Sequence, residues 1–195
     1  MKRLIAALTA ALMVLAFAGT ALAAQPAAPG QNKLTCSVDA PATCTTNGKT
    51  ATIDTTLGGA AAVYLPGFNN SFYGVRVGQV TKLSNTYTGT AGIDPRWSVP
   101  IDLGGIHDGY TDYFVFVTLA ECNNGFGLVD VINDTTCTIH RNDSSVTYPN
   151  WLAYTQANSS DYISLNDFYA FVIADGSGAP GVWTISNFTV GKPGK

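Results

Sequence analysis

The chain has 195 residues, 46% of them apolar and 11% aromatic, with 10 Lys and Arg against 13 Asp and Glu. Lys2 and Arg3 lie at the extreme N-terminus, so the remainder carries 8 basic residues against 13 acids, a net −5, and those eight are scattered. Binding to a phosphate backbone needs clustered Lys and Arg, which argues against nucleic acid as a partner.

Residues 1–23, MKRLIAALTAALMVLAFAGTALA, place Lys2 and Arg3 ahead of an apolar run that ends in Ala21-Leu22-Ala23. This is the pattern of a secretory signal peptide cleaved after Ala23, and the run is shorter than the ~20 apolar residues a membrane span requires. Residues 24–33 are rich in Ala and Pro and read as a flexible leader. The expected folded unit is a single β-sandwich domain over 34–195, with no membrane span after cleavage, in a secreted protein of the extracellular space or periplasm.

Cys36, Cys44, Cys122 and Cys137 form two local pairs in a chain bound for an oxidising compartment. Three connectivities exist, and local closeness favours 36 with 44 and 122 with 137. Neither spacing is C-x2-C and the chain has two histidines, so a zinc site is disfavoured.

From Lys49 onward, short runs of Val, Ile, Thr, Tyr and Phe alternate with clusters of Gly, Asn, Asp and Pro. Strands are expected at 50–56, 60–65, 71–77, 79–89, 95–103, 112–119, 126–132, 135–141, 167–174 and 180–190. About ten strands in this length predict an all-β fold, a two-sheet antiparallel sandwich wound as a jelly roll. In the 95–103 strand, Trp97, Val99 and Ile101 share the core face, while Arg96, Ser98, Pro100 and Asp102 share the other. Pro95 and Pro100 cannot donate to a ladder and put this strand at an edge or a bulge. Arg96 is left to pair with Asp94 or Asp102. In 112–119, Tyr113, Val115 and Val117 oppose Phe114 and Phe116, as in a strand buried on both sides. Asn133-Asp134 reads as a hairpin turn between 126–132 and 135–141. Asn150 caps a short helix near 150–157 that carries Trp151 and Tyr154. In the last strand the inward set switches from Trp183 and Ile185 to Phe188 and Val190, which requires a bulge near Ser186-Asn187.

Several chemistries are poorly served. Glu121 is the only glutamate, so a paired-carboxylate glycosidase would depend on aspartates such as Asp102, Asp112 and Asp130. His107 and His140 are the only bases for a nucleophilic triad, no G-x-S-x-G elbow exists, and the cysteines are expected to be oxidised. His140 reads as a solvated edge residue. Copper-dependent polysaccharide oxidation needs a first mature histidine, and Ala24 stands there instead. No cofactor is expected. A structural calcium could draw on Asp108, Asp112, Asp134 and Asp175, although no D-x-D-x-D-G string supports it.

A sugar-binding face needs an exposed ring beside polar groups. The loop GGIHDGYTDY and the segment NWLAY supply such rings, with Tyr110 and Trp151 as shelf candidates. The ligand-binding candidates are Arg96, His107, Asp108, Tyr110, Asp112, Asn150 and Trp151, and no residue is assigned a catalytic role.

The strings GIDPRWSVPIDL, NWLAY and FYAFVIADGSGAPGVWTISNFTVG resemble those of small, uncharacterised secreted bacterial β-sandwich proteins over about residues 70–191. The chain is also broadly similar to jelly-roll carbohydrate-binding modules of the galactose-binding-like type. The resemblance implies the fold and brings no catalytic residues with it. The expected function is binding of a glycan or cell-envelope polymer by an exported β-sandwich. A structural, adhesive or protein-interaction role in the envelope, without enzymatic activity, is the alternative, and an aspartate-dependent carbohydrate-active enzyme is the third reading.

Overall fold

The computed structural model describes residues 34–64, 74–91, 95–104, 111–122, 126–164, 171–176 and 179–192. Those residues form an all-β protein with one α-helix. In chain order the strands are β1 (Thr35–Asp39), β2 (Thr43–Asn47), β3 (Thr50–Asp54), β4 (Ala60–Tyr64), β5 (Lys82–Gly89), β6 (Arg96–Asp102) and β7 (Tyr113–Thr118). They continue with β8 (Gly127–Asp130), β9 (Ile139–Arg141), β10 (Thr147–Tyr148), helix α1 (Trp151–Ala157), β11 (Tyr162–Ile163), β12 (Phe171–Asp175) and β13 (Val182–Gly191). Short 3₁₀ turns occupy Val77–Gln79 and Leu119–Glu121.

Two antiparallel sheets result. The larger runs β1-β4-β12-β6-β7-β9-β10, with β11 also on β6, and the smaller runs β2-β3-β13-β5-β8. Alternation along each strand builds one core from both. Trp97, Val99, Ile101, Tyr113, Val115 and Val117 enter it from the large sheet, and Ile53, Leu83, Tyr87, Trp183 and Ile185 from the small one. The sheets meet at Trp97: its ring stands edge-on to Phe188 at 5.6 Å, and its Nε1 donates to Asn85 Oδ1 on β5 at 2.7 Å.

The parity switch expected in the last strand is present. Ser186 pairs with Thr86 but Thr189 pairs with Ser84, and the extra residue between them includes Asn187 at φ 54°. Asparagine tolerates this left-handed conformation better than most residues. The bulge lets Phe188 and Val190 reach the core after Trp183 and Ile185 have already filled it.

Both disulfides join as expected, Cys36 to Cys44 and Cys122 to Cys137. The first links β1 of the large sheet to β2 of the small one, closing one open side of the pair of sheets. On the other side, β7 and β9 belong to the large sheet while β8 between them belongs to the small one. The second disulfide ties the ends of that excursion together. In the chain-entropy model its closed loop of about 15 residues is worth ~3 kcal/mol. The Cys122→Ser/Cys137→Ser variant is therefore expected to unfold at lower denaturant by that amount, and a loss below about 1 kcal/mol in urea melts would contradict the stapling role.

Several expectations need correction. Strand β6 is not an edge: β12, β7 and β11 all pair with it. Pro100 is tolerated because a residue's N–H and C=O point to the same side of a strand. Its carbonyl accepts from Ser164, so its missing N–H faces the place where β12, paired to 96–98, gives way to β11, paired to 101–102. The Asn133-Asp134 turn exists, both amides donating to the Asp130 carbonyl. It does not join a hairpin, since β8 pairs with β5 and β9 with β7 and β10. The expected 135–141 strand begins only at Ile139, and no strand occupies 74–77, where Arg76 makes a single bridge to Tyr162. Residues 71–73 of that expected strand lie outside the described residues. Strands β1, β2, β10 and β11 were not expected; β1 and β2 are largely exposed and lack the apolar alternation that would announce them.

Candidate functional site

The outward face of the large sheet gathers the chemistry. On β7, Tyr113, Val115 and Val117 are buried, while Phe114 and Phe116 point the other way and are half-buried. The two phenyl rings lie 6.2 Å apart and within 4° of parallel, as expected for i and i+2 residues on one face of a strand. Register sets Ser98 of β6 opposite Phe116, and Arg96 opposite Thr118. From there the Arg96 guanidinium reaches diagonally over the Phe116 ring, with Cζ 4.9 Å from its centre. Such a contact is worth about 0.5–2 kcal/mol and holds the planar group flat.

On the far side of β7, His140 of β9 stands opposite Phe116. Its Nε2 lies 3.1 Å from Glu121 Oε2. The expected solvated edge histidine is thus joined to the only glutamate, and both remain more than a third exposed. This pair spans the same two segments as the Cys122–Cys137 bond. Further along β6 the same face closes off, since Ser98, Pro100 and Asp102 are buried. Among the described residues of β6, β7 and β9 on this face, Arg96, the two phenyl rings and the His140–Glu121 pair keep partial exposure. Such a surface can stack on an apolar ring face and hydrogen-bond its substituents.

No protein-family model matches the chain, and no curated protein matches it. The surface has to be understood from its own chemistry.

Arg96 belongs to this site. Its expected partner Asp102 is six residues along the same strand, roughly 20 Å away, so that pairing is ruled out, and Asp94 lies outside the described residues. His107, Asp108 and Tyr110 lie outside them too. Asp112 is a loop clasp: its Oδ2 accepts from the Leu103 amide at 2.7 Å, and its own amide donates to Ile101. Asn150 caps α1 as expected, its Oδ1 accepting from the Ala153 amide at 2.9 Å. Trp151 is 3% exposed, its ring 5.3 Å from Tyr154. A buried ring cannot serve as a sugar shelf, which removes Trp151 from the platform expected of it and Tyr110. The expectation that Phe114 and Phe116 are buried on a second covered side is corrected, since both are half-buried; alternation tells which side a ring takes and not whether that side is covered.

Of the aspartates expected to serve a glycosidase, Asp112 lies across from Asp102 at the end of the β6–β7 ladder, and Asp130 stands apart from both. Asp102 faces outward from the large sheet, whereas Asp130 faces outward from the small one, where it pairs with Lys82. Burial raises the Asp130 pKa, but the Lys82 ammonium and the Asn133 amide outweigh it and hold the carboxyl below its ordinary value. For calcium, Asp134 Oδ1 is occupied by the Thr136 amide and hydroxyl. Among the described residues, the metal-capable side chains that come together are Cys122, Asp134 and Cys137, and the two sulfurs are bonded to each other.

A buried polar network lies at the end of the core. The Tyr113 hydroxyl donates to Asp161 Oδ2 at 2.5 Å and lies 2.9 Å from the Tyr154 hydroxyl. Asp161, 4% exposed, also accepts from the Gly104 amide. Arg141 stacks on the Tyr113 ring at 3.9 Å and binds Asn158 and Asp143. Hydrogen bonds to Asp143 push the Arg141 pKa up, and Arg141 in turn holds the Asp143 carboxyl below its ordinary value. The network fixes α1, Asp161 and Gly104 against the inner face of β7, so its role is support.

Proposed function

We propose that the protein is an exported binding protein, a jelly-roll sandwich that takes a saccharide unit of a glycan or cell-envelope polymer on the outward face of β6, β7 and β9. The observation that carries this reading is the parallel pair Phe114 and Phe116, with Arg96 stacked on one ring and the His140–Glu121 pair beside it. Rings supply contact to the C–H face of a pyranose, and the guanidinium and imidazole supply directional partners for its hydroxyls or carboxylate. Jelly-roll winding is supported by the strand order, β3-β13-β5-β8 against β4-β12-β6-β7, with successive strands passing between sheets. Export is supported by the N-terminal 23 residues. Two disulfides are compatible with it, as is the fact that no described helix is long and apolar enough to cross a membrane.

Retention on insoluble cell-wall and plant polysaccharides, with a glycan array alongside, tests the reading. Phe116→Ala should weaken binding to the retained polymer about tenfold, the equivalent of a ring contact worth ~1.4 kcal/mol. Lack of retention on any polymer, or equal retention of the variant, would overturn it. The protein-interaction alternative has its own support in Phe126 and Leu128, 51% and 60% exposed on and beside the edge strand β8. Capture of a protein partner that depends on Leu128, without polysaccharide retention, would favour that alternative.

A further inference from the structure

The outward face of the small sheet is a lattice of hydroxyl groups. Register sets Thr45, Thr52, Thr184 and Thr88 in one row across β2, β3, β13 and β5. The next row is Asn47, Thr50, Ser186 and Thr86. The alternate residues Ala51, Ile53, Tyr87, Trp183 and Ile185 are buried in the core, so both rows face out. Threonine suits an exposed strand, and one such residue would mean little. Two features go beyond propensity. Among the described residues, none of the seven hydroxyls has a side-chain partner, and no charged or aromatic side chain stands in either row. The nearest charges are already engaged: Asp54 binds the Thr56 amide and hydroxyl, and Lys82 pairs with Asp130.

Two rows without charge do not select an anionic polymer or a charged protein, and without rings they give a pyranose nothing to stack on. What it offers is repetition. Strand neighbours recur about 4.8 Å apart, and same-face residues along a strand roughly 6.7 Å apart. Both distances are on the scale at which oxygens recur on the faces of hexagonal ice. Each threonine adds a hydroxyl that can occupy a lattice position and a methyl group that orders the water beside it.

We propose that this face binds ice. The partner is neutral, periodic and met only outside the cell, which suits the charge, the register and the disulfides together. Sheet twist of about 20–25° per strand keeps more than two or three strands from lying on one lattice plane. The expected effect is therefore inhibition of ice recrystallisation, with little depression of the freezing point.

The test is grain growth in a thin frozen film of the purified protein, compared with an equal mass of serum albumin. Wild type should keep grains small. Thr52→Tyr and Thr184→Tyr, both compatible with a strand and checked for folding by circular dichroism, should lose that effect. Phe116→Ala, on the opposite sheet, should keep it, so this result is independent of the saccharide reading. Grain growth equal to that with albumin, or folded tyrosine variants as active as wild type, would overturn the proposal. So would retention on crystalline cellulose that depends on Thr184 without any effect on ice.

Discussion

Replacing Trp97 by alanine is expected to lower the unfolding free energy by about 3–5 kcal/mol, the range for truncating a large buried aromatic. Trp97 is fully buried and is a place where the two sheets touch, through Phe188 on one side and Asn85 on the other. The loss has two parts. A void opens between the two sheets, and the buried Asn85 carbonyl loses its donor, which costs about 1–3 kcal/mol when nothing replaces it. Trp97→Phe separates the parts, because it keeps most of the ring and removes the N–H. The phenylalanine variant should fall between wild type and alanine. Urea denaturation followed by far-UV circular dichroism measures all three. If the alanine variant lost less than about 1 kcal/mol, the sheets would not be joined there.

Alkaline conditions should unfold the protein steeply. Burial raises the pKa values of Tyr113 and Tyr154, and for Tyr113 the Tyr154 hydroxyl and the Asp161 carboxylate raise it further. An exposed tyrosine in the unfolded chain ionises near pH 10. A group whose folded pKa lies above its unfolded value contributes stability that is fully present below the unfolded pKa and is lost as pH rises past it. Each such tyrosine therefore removes about 1.4 kcal/mol per pH unit above roughly pH 10, and two remove about 2.7. Phenolate absorbance from the buried rings should appear together with loss of the β-sheet signal, after the exposed tyrosines have titrated. Tyr154→Phe should reduce the slope by one proton. Complete phenolate formation with the sheet signal intact would contradict the buried network.

Much of the architecture was legible in the residues. Alternation of Trp97, Val99 and Ile101 against Arg96, Ser98, Pro100 and Asp102 reads correctly which side chains point between the sheets, because side chains in a strand must alternate, but it does not show that Ser98, Pro100 and Asp102 are buried on the other face as well. The parity switch at Ser186-Asn187 requires a bulge for the same reason. Asn150 ahead of WLAY announces a capped helix because its side chain satisfies an amide that the helix cannot. The cysteine pairs follow from closeness along the chain. In each case the physical cause acts over a few residues.

The candidate site shows the opposite. Phe116, Arg96, His140 and Glu121 lie on three strands and a turn, and only pairing brings them together. A histidine and a glutamate 19 residues apart carry no local sign that they meet. Trp151 looked like a shelf because its neighbour is polar, yet Tyr154 and Tyr148 gather at that end of the core and it is buried among them. The two threonine rows are likewise invisible until β2, β3, β13 and β5 are set in register. What the sequence by itself determined is the direction of each side chain from its own strand, since that follows from backbone geometry. Which strands become neighbours, and so which side chains share a face, was decided only by the tertiary structure, because antiparallel pairing joins segments that are far apart in the chain.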